Sequence, residues 1–473
     1  MMMRDSIVTR RNFLRVMGIG SASVALPKLL SCSKNALKNP NIVIIFCDDL
    51  GYGDLTSFGH PTIRTPHIDR MAYDGQKWTN FYVAASVCTP SRAGLLTGRL
   101  PIRTGMCSDK RRVLFPDSAG GLPVSEVTIA DAVKSVGYKT ACIGKWHLGH
   151  LPQYLPTRRG FDYYFGIPYS NDMDGVGGGD DRVVRPKREY FNVPLMRNEE
   201  IIERPADQAT LTKRYTEEAV RFIKENKDRP FFLYLAHTMP HVPLFVSRNF
   251  KSQSIRGIYG DVVEEIDWGV GQILETLREE GLDKNTLVVF TSDNGPWLLY
   301  KQHGGSAGLL HDGKGTTWEG GMRVPTIFWW PERIHTGVVS GIGSSLDFFS
   351  TVCNLTGAKI PDDRVMDSEN LLPLLFGGNP SPRNLFFYYR GREVYAVRKS
   401  LFKAHFITET AYTKNTNKKY HDSPLLFHLG HDPGEKFDVA KEYPDVVADI
   451  RRELDEHLSN LVVGEDQLAK IIE

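Results

Sequence analysis

The sequence predicts an α/β protein whose core is a large, mostly parallel sheet flanked by helices. Four apolar runs, each followed by polar residues and a turn, indicate the central strands: 41–51, 138–149, 229–243 and 285–295. Three amphipathic stretches that alternate with these runs predict helices: 124–136, 211–226 and 261–280. Because alternating strands and helices build parallel sheets, we expect the four runs to lie in one sheet.

A second, smaller domain of the α+β class is predicted at the C-terminal end. The stretch "NPSPR" (379–383) is typical of a linker, and short strands of an antiparallel sheet are predicted after it, at 384–391, 393–400 and 401–407. A turn-rich stretch then leads to a helix predicted over 444–461. We therefore expect a domain over residues 40–380 and a C-terminal domain over 381–473.

The first 39 residues predict an export signal and a tether. Arg10 and Arg11, followed by Phe13 and Leu14, resemble a twin-arginine signal read by the export machinery. The apolar run that follows is too short to span a bilayer, and it ends in "LLSC", which resembles a bacterial lipobox with Cys32 as the lipidated residue. A plain cleaved signal or a short anchor are the alternatives. Each alternative predicts an exported protein, in the periplasm or at the cell surface.

Composition excludes several classes of protein. The formal net charge is +2, and no basic stripe is interleaved with aromatic residues, so we expect no nucleic-acid partner. The six cysteines lack the spacing of a disulfide framework or of a zinc site. Cys47 and Cys142 lie in apolar runs, where we expect them to belong to the core.

Oxygen-bearing side chains follow two of the predicted strands. Asp48 and Asp49 end the first run, and Asp293 and Asn294 end the fourth. The carboxyl ends of strands in such a sheet form one edge, which is where ligands bind. Adjacent carboxylates repel unless a cation lies beside them, and oxygen ligands suit Ca²⁺ or Mg²⁺. Together the two pairs indicate a metal site, although a single Asp pair is more often a turn or a helix cap.

Several cationic side chains are expected near the same edge. Lys145 and His147 are two residues apart after the second run, so on an extended segment they point to the same side. Lys314 lies in a glycine-rich loop, Arg92 on a predicted helix, and His241 after the third run. Cations clustered beside a metal indicate an anionic substrate such as a sulfate or a phosphate ester.

The stretch "SVCTPSRAGLLTGRL" places Cys88 at the mouth of a predicted helix. Pro90 suits the first helical position, and Gly98 is a plausible stop. A cysteine there is either a small buried hydrophobe or a reactive group that faces an anion at the helix N-terminus.

The motifs in their order resemble those of the formylglycine-dependent sulfatases of the alkaline phosphatase superfamily. "CTPSR" with "GLLTGR" matches the first signature of that family, and "GKWHLG" resembles the second. The strand-end "DD", "TSDNG" and "GKGTTWEGGMRVP" complete the pattern. "TGRLPIRTG", "FGIPYSND" and "LFHLGHDPGEKFD" are closest to the branch that contains arylsulfatase A and N-acetylgalactosamine-6-sulfatase.

This resemblance implies hydrolysis of sulfate esters at Cys88. In the family, a maturation enzyme of the oxidase or the anaerobic radical type converts this cysteine to Cα-formylglycine, whose aldehyde hydrates to a geminal diol. One hydroxyl attacks the sulfur and the alcohol leaves. The sulfated hemiacetal then loses a proton from the second hydroxyl, releases sulfate and restores the aldehyde.

Residue roles follow from the same resemblance. Four side chains, with the formylglycine oxygen at position 88, resemble the ligands of one Ca²⁺: Asp48, Asp49, Asp293 and Asn294. Arg92 and Lys145 would hold the diol or the sulfate oxygens, and His147 would take the proton of the second hydroxyl. His241 and Lys314 would flank the leaving oxygen, one of them as the acid. His237 lies outside this set.

The resemblance favours an exo-acting enzyme on a sulfated carbohydrate, with galactose or N-acetylgalactosamine ahead of glucosamine. One alternative is a phosphatase or a phosphodiester or phosphonate hydrolase of the same superfamily; a phosphatase of this type usually needs two transition metals and more histidine ligands. Another is a non-catalytic glycan-binding relative that keeps Cys88 as a thiol.

Overall fold

Sixteen β-strands and ten α-helices make up the part of the chain that the computed structural model describes, residues 39–412 and 417–473. The strands are β1 Asn41–Cys47, β2 Gln76–Trp78, β3 Phe81–Tyr82, β4 Lys139–Gly144, β5 Tyr163–Gly166, β6 Leu195–Arg197, β7 Glu200–Glu203, β8 Phe231–Ala236, β9 Thr286–Ser292, β10 Thr326–Trp329, β11 Gly337–Val339, β12 Gly343–Ser344, β13 Leu385–Arg390, β14 Glu393–Lys399, β15 Phe402–Thr408 and β16 Lys419–His428. The helices are α1 Pro66–Asp74, α2 Cys88–Thr97, α3 Pro101–Thr104, α4 Ile129–Lys134, α5 Leu211–Glu225, α6 Ile258–Glu279, α7 Glu319–Met322, α8 Asp347–Thr356, α9 Leu372–Gly377 and α10 Pro444–Ser459. The predicted export signal and Cys32 lie outside the described residues.

Ten strands form the large sheet in the order β11-β2-β10-β9-β1-β8-β4-β5-β6-β7. The five central strands, β9 to β5 in this order, are parallel, whereas β10, β6 and β7 pair with their neighbours in antiparallel fashion. All seven residues of β1 are buried, because both faces of the sheet centre are covered. The four apolar runs of the sequence are β1, β4, β8 and β9, which lie side by side and confirm the predicted fold class.

A separate antiparallel sheet, β13-β14-β15-β16, with helix α10 packed on β14 and β15, confirms the α+β character of the C-terminal region. Strand β16 was not predicted. Its first half, Lys419–Ser423, is polar and largely exposed, so it lacks the apolar alternation that marks a strand.

Helix α4 begins later than predicted, and helix α2 begins earlier. Helix α4 covers only the second half of the predicted stretch 124–136, because Thr128 and Asp131 form a capping box that starts the helix at Ile129. Helix α2 begins at Cys88 rather than at Pro90, and it ends at Gly98 as predicted, where φ is 65°. Among the described residues, no helix has both the length and the apolar character needed to cross a membrane.

A buried ionic cluster joins the C-terminal sheet to the loop that precedes α7. Lys403 on β15 lies 3.0 Å from the Glu319 carboxylate and 3.0 Å from Glu435, and it donates a 2.8 Å hydrogen bond to the Thr317 carbonyl. The hydroxyl of Tyr388 donates to Glu319 at 3.0 Å. Because the Lys403 side chain is wholly buried, bulk water cannot solvate the two carboxylates if this lysine is removed.

We expect Lys403→Met to lower the free energy of unfolding by about 3–5 kcal/mol, because it removes the buried cation that lies between two buried carboxylates. Denaturant unfolding at neutral pH measures this loss. The control Lys399→Met removes a lysine that is 26% exposed and paired with Asp449 and Glu453, so it should cost about 1 kcal/mol or less. Equal losses in the two variants would contradict this account of the cluster.

Candidate active site

Four strand ends bring the predicted site residues to one edge of the large sheet. Asp48 and Asp49 follow β1, Lys145 and His147 follow β4, His241 follows β8, and Asp293 and Asn294 follow β9. Helix α2 adds Cys88 and Arg92, and the loop before α7 adds Lys314. All ten side chains are buried, as expected for groups at the carboxyl ends of parallel strands that are covered by loops.

Asp49 occupies the left-handed region, with φ at 66°, a conformation that aspartate tolerates better than most residues. Its backbone N–H donates to Asp293 Oδ1 at 3.1 Å. Its carboxylate accepts hydrogen bonds from Asn294 Nδ2 at 2.7 Å and from Lys314 Nζ at 2.7 and 2.8 Å. The turn at Asp49 therefore joins the ends of β1 and β9 and orients the carboxylate toward Lys314.

Two further cations neutralise the other carboxylates. Arg92 donates to Asp293 Oδ2 through Nη2 at 2.8 Å and Nε at 3.1 Å, and its guanidinium lies over the Phe46 ring. Lys145 Nζ donates to Asp48 Oδ2 at 2.6 Å and to Ser170 Oγ at 3.1 Å. Three buried carboxylates thus face three buried cations, so a bound divalent cation would leave the site positive and suited to an anionic ester.

The acidic side chains could hold a metal ion. One ligand atom from each of Asp48, Cys88 and Asp293 lies within 4.8 Å of the others, and the same holds for Asp48, Asp49 and His241. Asp48 Oδ1 and Asn294 Oδ1 are buried without a hydrogen-bond partner in the structure. Such orphaned oxygens are costly unless a cation or a donor satisfies them. The mostly oxygen donor set fits a hard cation such as Ca²⁺ or Mg²⁺.

The carboxyl groups at this edge have divergent pKa values. Burial and the negative charge of Asp48 raise the pKa of Asp293 to about 7, although Arg92 opposes this shift. Burial also opposes ionisation of Asp48, but Lys145 and the other cations hold its pKa well below the usual range. The two groups differ because only cations act on the charge of Asp48, whereas the charges of Asp48 and Asp49 oppose the effect of Arg92 on Asp293.

Cys88 is the first residue of α2, and its side chain is buried beside Val87 and Val113. Burial raises the pKa of its thiol, although Lys145 and Lys314 oppose this effect. An unmodified thiol here is therefore protonated at neutral pH and is a poor nucleophile.

His147 lies in the left-handed region, with φ at 58°, so the expected extended segment from Lys145 to His147 was wrong. Strand β4 ends at Gly144, where φ is 114° and a Cβ would lie 1.8 Å from the Ala236 carbonyl, and the backbone N–H of His147 donates to the Pro168 carbonyl at 3.1 Å. His147 Nε2 donates to the Leu114 carbonyl at 2.8 Å, which leaves the buried Nδ1 unprotonated and without a partner. Burial and Lys145 lower the pKa of His147 well below its ordinary value.

His241 and Lys314 both lie beside the Trp297 ring. The Lys314 ammonium lies 4.3 Å from the centre of the Trp297 ring, and the His241 ring lies 5.4 Å from it. His241 Nε2 is 3.6 Å from Asp49 Oδ2, and burial with the charge of Lys314 lowers its pKa to about 4. His237, which was left outside the predicted set, is buried with both ring nitrogens unpartnered and does not line the cavity described next.

A cavity opens over these residues. Cys88, His147, His241 and Lys314 line one part of it. Sequence reasoning missed the remaining polar and aromatic lining: Arg112, Phe115, Ser170, Asp172, Trp297 and Tyr412. Ser170 and Asp172 follow β5, whose strand end could have revealed them, but Tyr412 comes from the C-terminal region and has no local signal.

Comparison with known protein families shows which family this chain belongs to. The family profile described as Sulfatase matches residues 40–358, and the profile of the C-terminal region of aryl-sulfatase matches residues 381–473. The chain belongs to the sulfatase family. The second match begins at residue 381, within the "NPSPR" stretch.

Individual sulfatases are similar to this chain along most of their length. The chain is 42% identical to N-acetylgalactosamine-6-sulfatase of Mus musculus, covering 91% of this chain and 88% of the relative. It is 41% identical to arylsulfatase A of Homo sapiens, covering 87% and 86%. Among solved structures, the PsFucS1 sulfatase from Pseudoalteromonas sp. superposes with a TM-score of 0.81 at 27% identity, covering 90% of this chain and 92% of that one. These similarities confirm the predicted family and branch.

Proposed function

We propose that this sulfatase hydrolyses the sulfate ester of a carbohydrate, with a formylglycine formed at Cys88 and one Ca²⁺ beside it. The observation that carries the proposal is the position of Cys88 at the start of α2, within 4.8 Å of carboxylate oxygens of Asp48 and Asp293 and in a cavity lined by Lys314 and two histidines. A single residue thus borders both a cation site and a space for an anionic ester.

The formylglycine, once formed by a maturation enzyme, supplies as its hydrate one hydroxyl for attack on sulfur and a second for release of sulfate. Arg92 lies on the same helix and is fixed by Asp293 and by the Lys145 carbonyl, to which it donates at 3.0 Å. Lys145 is held by Asp48 and Ser170. Both cations are therefore pre-positioned beside residue 88 and reorganise little when an anion binds.

A Ca²⁺ ion would be held by the carboxylates of Asp48, Asp49 and Asp293, the amide oxygen of Asn294 and the oxygen of residue 88. When bound, it supplies positive charge that favours ionisation of the nucleophile and polarises the ester. Asp48 Oδ1 and Asn294 Oδ1, which are buried and unpartnered, support this assignment. The three neighbouring cations keep the remaining carboxylate oxygens oriented.

His147 is the base of the second step. Its Nε2–H is committed to the Leu114 carbonyl, so the lone pair of Nδ1 is available in the cavity that Cys88 also lines. An imidazole fixed in one tautomer by a backbone carbonyl is oriented to accept a proton at the other nitrogen. A positioned base of this kind contributes about 10²–10⁴-fold to the rate.

Either His241 or Lys314 protonates the leaving oxygen, and leaving-group dependence will distinguish them. We expect the variant that lacks the acid, His241→Gln or Lys314→Met, to lose about 10²–10⁴-fold on alkyl or sugar sulfates and far less on nitrophenyl sulfate, whose alcohol needs no proton. The variant that lacks only a charge or a contact should lose similar factors on both substrates. Rates across a series of aryl sulfates with different phenol pKa values measure this, and flat dependence in both variants would contradict the assignment.

A sulfated galactose or N-acetylgalactosamine is the proposed substrate, attacked at a chain end. The name of the relative N-acetylgalactosamine-6-sulfatase supports this choice. The cavity also offers what a sugar requires, because Asp172 Oδ1 is buried without a partner and Trp297 and Tyr412 provide aromatic faces. Carboxylates and aromatic rings of this kind accept hydroxyl groups and cover the apolar face of a pyranose.

Phosphate-ester hydrolysis and glycan binding without catalysis are the alternatives. The two metal-capable groups among the described residues contain one histidine, His241, which disfavours a pair of transition metals. Turnover of an aryl sulfate against the matching aryl phosphate, with the matured protein, tests all three functions. Sulfate turnover in excess supports the proposal, whereas phosphate turnover in excess, or turnover of neither, would refute it.

We also propose that the protein is exported and anchored through Cys32, on the basis of the twin arginines and the "LLSC" stretch. Fractionation of the native host should recover the activity with the envelope. Recovery in the cytosolic fraction alone would contradict export.

A further inference from the structure

Arg112 is a positive charge without a counter-ion at the rim of the cavity. Its guanidinium lies 4.9 Å from the centre of the Tyr412 ring, and its side chain is exposed. In the described parts of the chain, no carboxylate lies within 4.0 Å of it. The adjacent Arg111, in contrast, is paired with Asp117 at 2.6 Å. An arginine left unpaired beside a ligand cavity is available to a ligand.

A second, smaller cavity adjoins the one over Cys88. The two cavities share Val87, Arg112 and Tyr412, and the second continues past Ser108 to Arg390. Arg112 and Tyr412 therefore stand between the space beside residue 88 and a neighbouring space. An extended ligand with one unit in the cavity over Cys88 could therefore place its next unit beside the exposed Arg112 side chain.

The lining of this second cavity is cationic. Arg112 and Arg390 line it and, among the described residues, no carboxylate does. Asp172 lines only the first cavity. The Arg390 guanidinium lies 4.4 Å from the centre of the Tyr412 ring and is paired with Glu409 at 3.3 Å. Arg112 is thus the group whose charge is left for a ligand. A guanidinium fork binds planar or tetrahedral oxyanions in a bidentate manner.

We propose that Arg112 binds a second anionic group of the substrate, on the sugar unit next to the one that carries the scissile sulfate. The group is a carboxylate, as in a uronic acid, or another sulfate ester. This inference rests on the proposed function and deepens it, because it assigns the enzyme to polyanionic sulfated glycans rather than to neutral ones.

The test compares specificity in Arg112→Gln, Arg112→Lys and the matched control Arg111→Gln. Each matured protein is assayed on an aryl sulfate, a sulfated galactosamine disaccharide with a uronic acid unit, the same disaccharide with its carboxyl reduced, and the reduced form with a second sulfate. The measured quantity is kcat/KM for each disaccharide divided by kcat/KM for the aryl sulfate. Because Arg112 is exposed, the variants should fold, which a thermal melt verifies.

We expect Arg112→Gln to lower this ratio about 10- to 100-fold for a disaccharide with a second anion, as for loss of a charged hydrogen bond. Arg112→Lys should recover part of the loss, and Arg111→Gln should keep the wild-type ratio. A loss confined to the uronic acid substrate identifies a carboxylate, and a loss on the disulfated substrate identifies a sulfate. Equal ratios for Arg112→Gln and wild type on all disaccharides, or an equal loss in Arg111→Gln, would overturn the inference. Failure of the proposed function would be seen separately, as no turnover of the aryl sulfate by the wild type.

Discussion

Cys88→Ala should abolish sulfate-ester hydrolysis, lowering kcat at least about 10⁴-fold, because alanine has no thiol that a maturation enzyme could convert to the aldehyde, so no diol nucleophile can form. The fold should survive, since alanine is smaller than cysteine and the site is lined by other groups. Initial rates on an aryl sulfate, with a thermal melt of the same sample, measure both effects.

Cys353→Ala is the matched control. Cys353 is buried on α8 and is not among the residues that line the cavity over Cys88. It should lose some stability through the small hole that it leaves, and retain its rate. Substantial residual turnover in Cys88→Ala, beyond the level of the buffer, would refute the assignment of residue 88 as nucleophile.

Removal of Ca²⁺ should have the second-largest effect. We expect a chelator to reduce turnover to background and lower Tm, and added Ca²⁺ to restore both, because a ligand that binds the native state stabilises it by about 2.7 kcal/mol at 100 times its Kd. The melt reports binding independently of catalysis. Thermal melts over a calcium titration, with and without a chelator, measure the effect.

Asp48→Asn tests which residues hold the ion. It keeps the shape of the side chain but removes a carboxylate from both metal-capable groups, so Ca²⁺ should no longer raise Tm. Asp54→Asn is the control on the same loop: Asp54 is buried and hydrogen-bonded to Gly51 and Tyr259, outside those groups. A calcium response that persists in Asp48→Asn, or disappears in Asp54→Asn, would contradict the proposed ligand set.

The sequence predicts the centre of this molecule well because burial on both faces leaves long apolar runs. β1, β4, β8 and β9 are such runs, and the polar residues after them meet at one edge for a topological reason. Asp48 and Asp293 could therefore be placed together although 245 residues separate them in the chain. The family motifs then gave these positions their expected roles.

Features decided by tertiary contacts escaped prediction. The edge strand β7 and the polar half of β16 carry little apolar signal because their side chains are largely exposed, and β6 has only three residues. Tyr412 joins the cavity only because the C-terminal sheet packs against the loop of Lys314, which no local pattern encodes. The turn at His147 was missed because the sequence around it carries no signal for a left-handed residue.

Peptide mass spectrometry of residue 88 tests the central claim most directly. Cleavage after Lys77 and Arg92 releases the peptide Trp78–Arg92, which contains Cys88 as its only cysteine. In protein made by the native host, we expect a peptide in which the thiol is replaced by an aldehyde, and a reagent for carbonyl groups should label it. A peptide that carries only the unmodified thiol, in protein that nevertheless hydrolyses sulfate esters, would contradict the account.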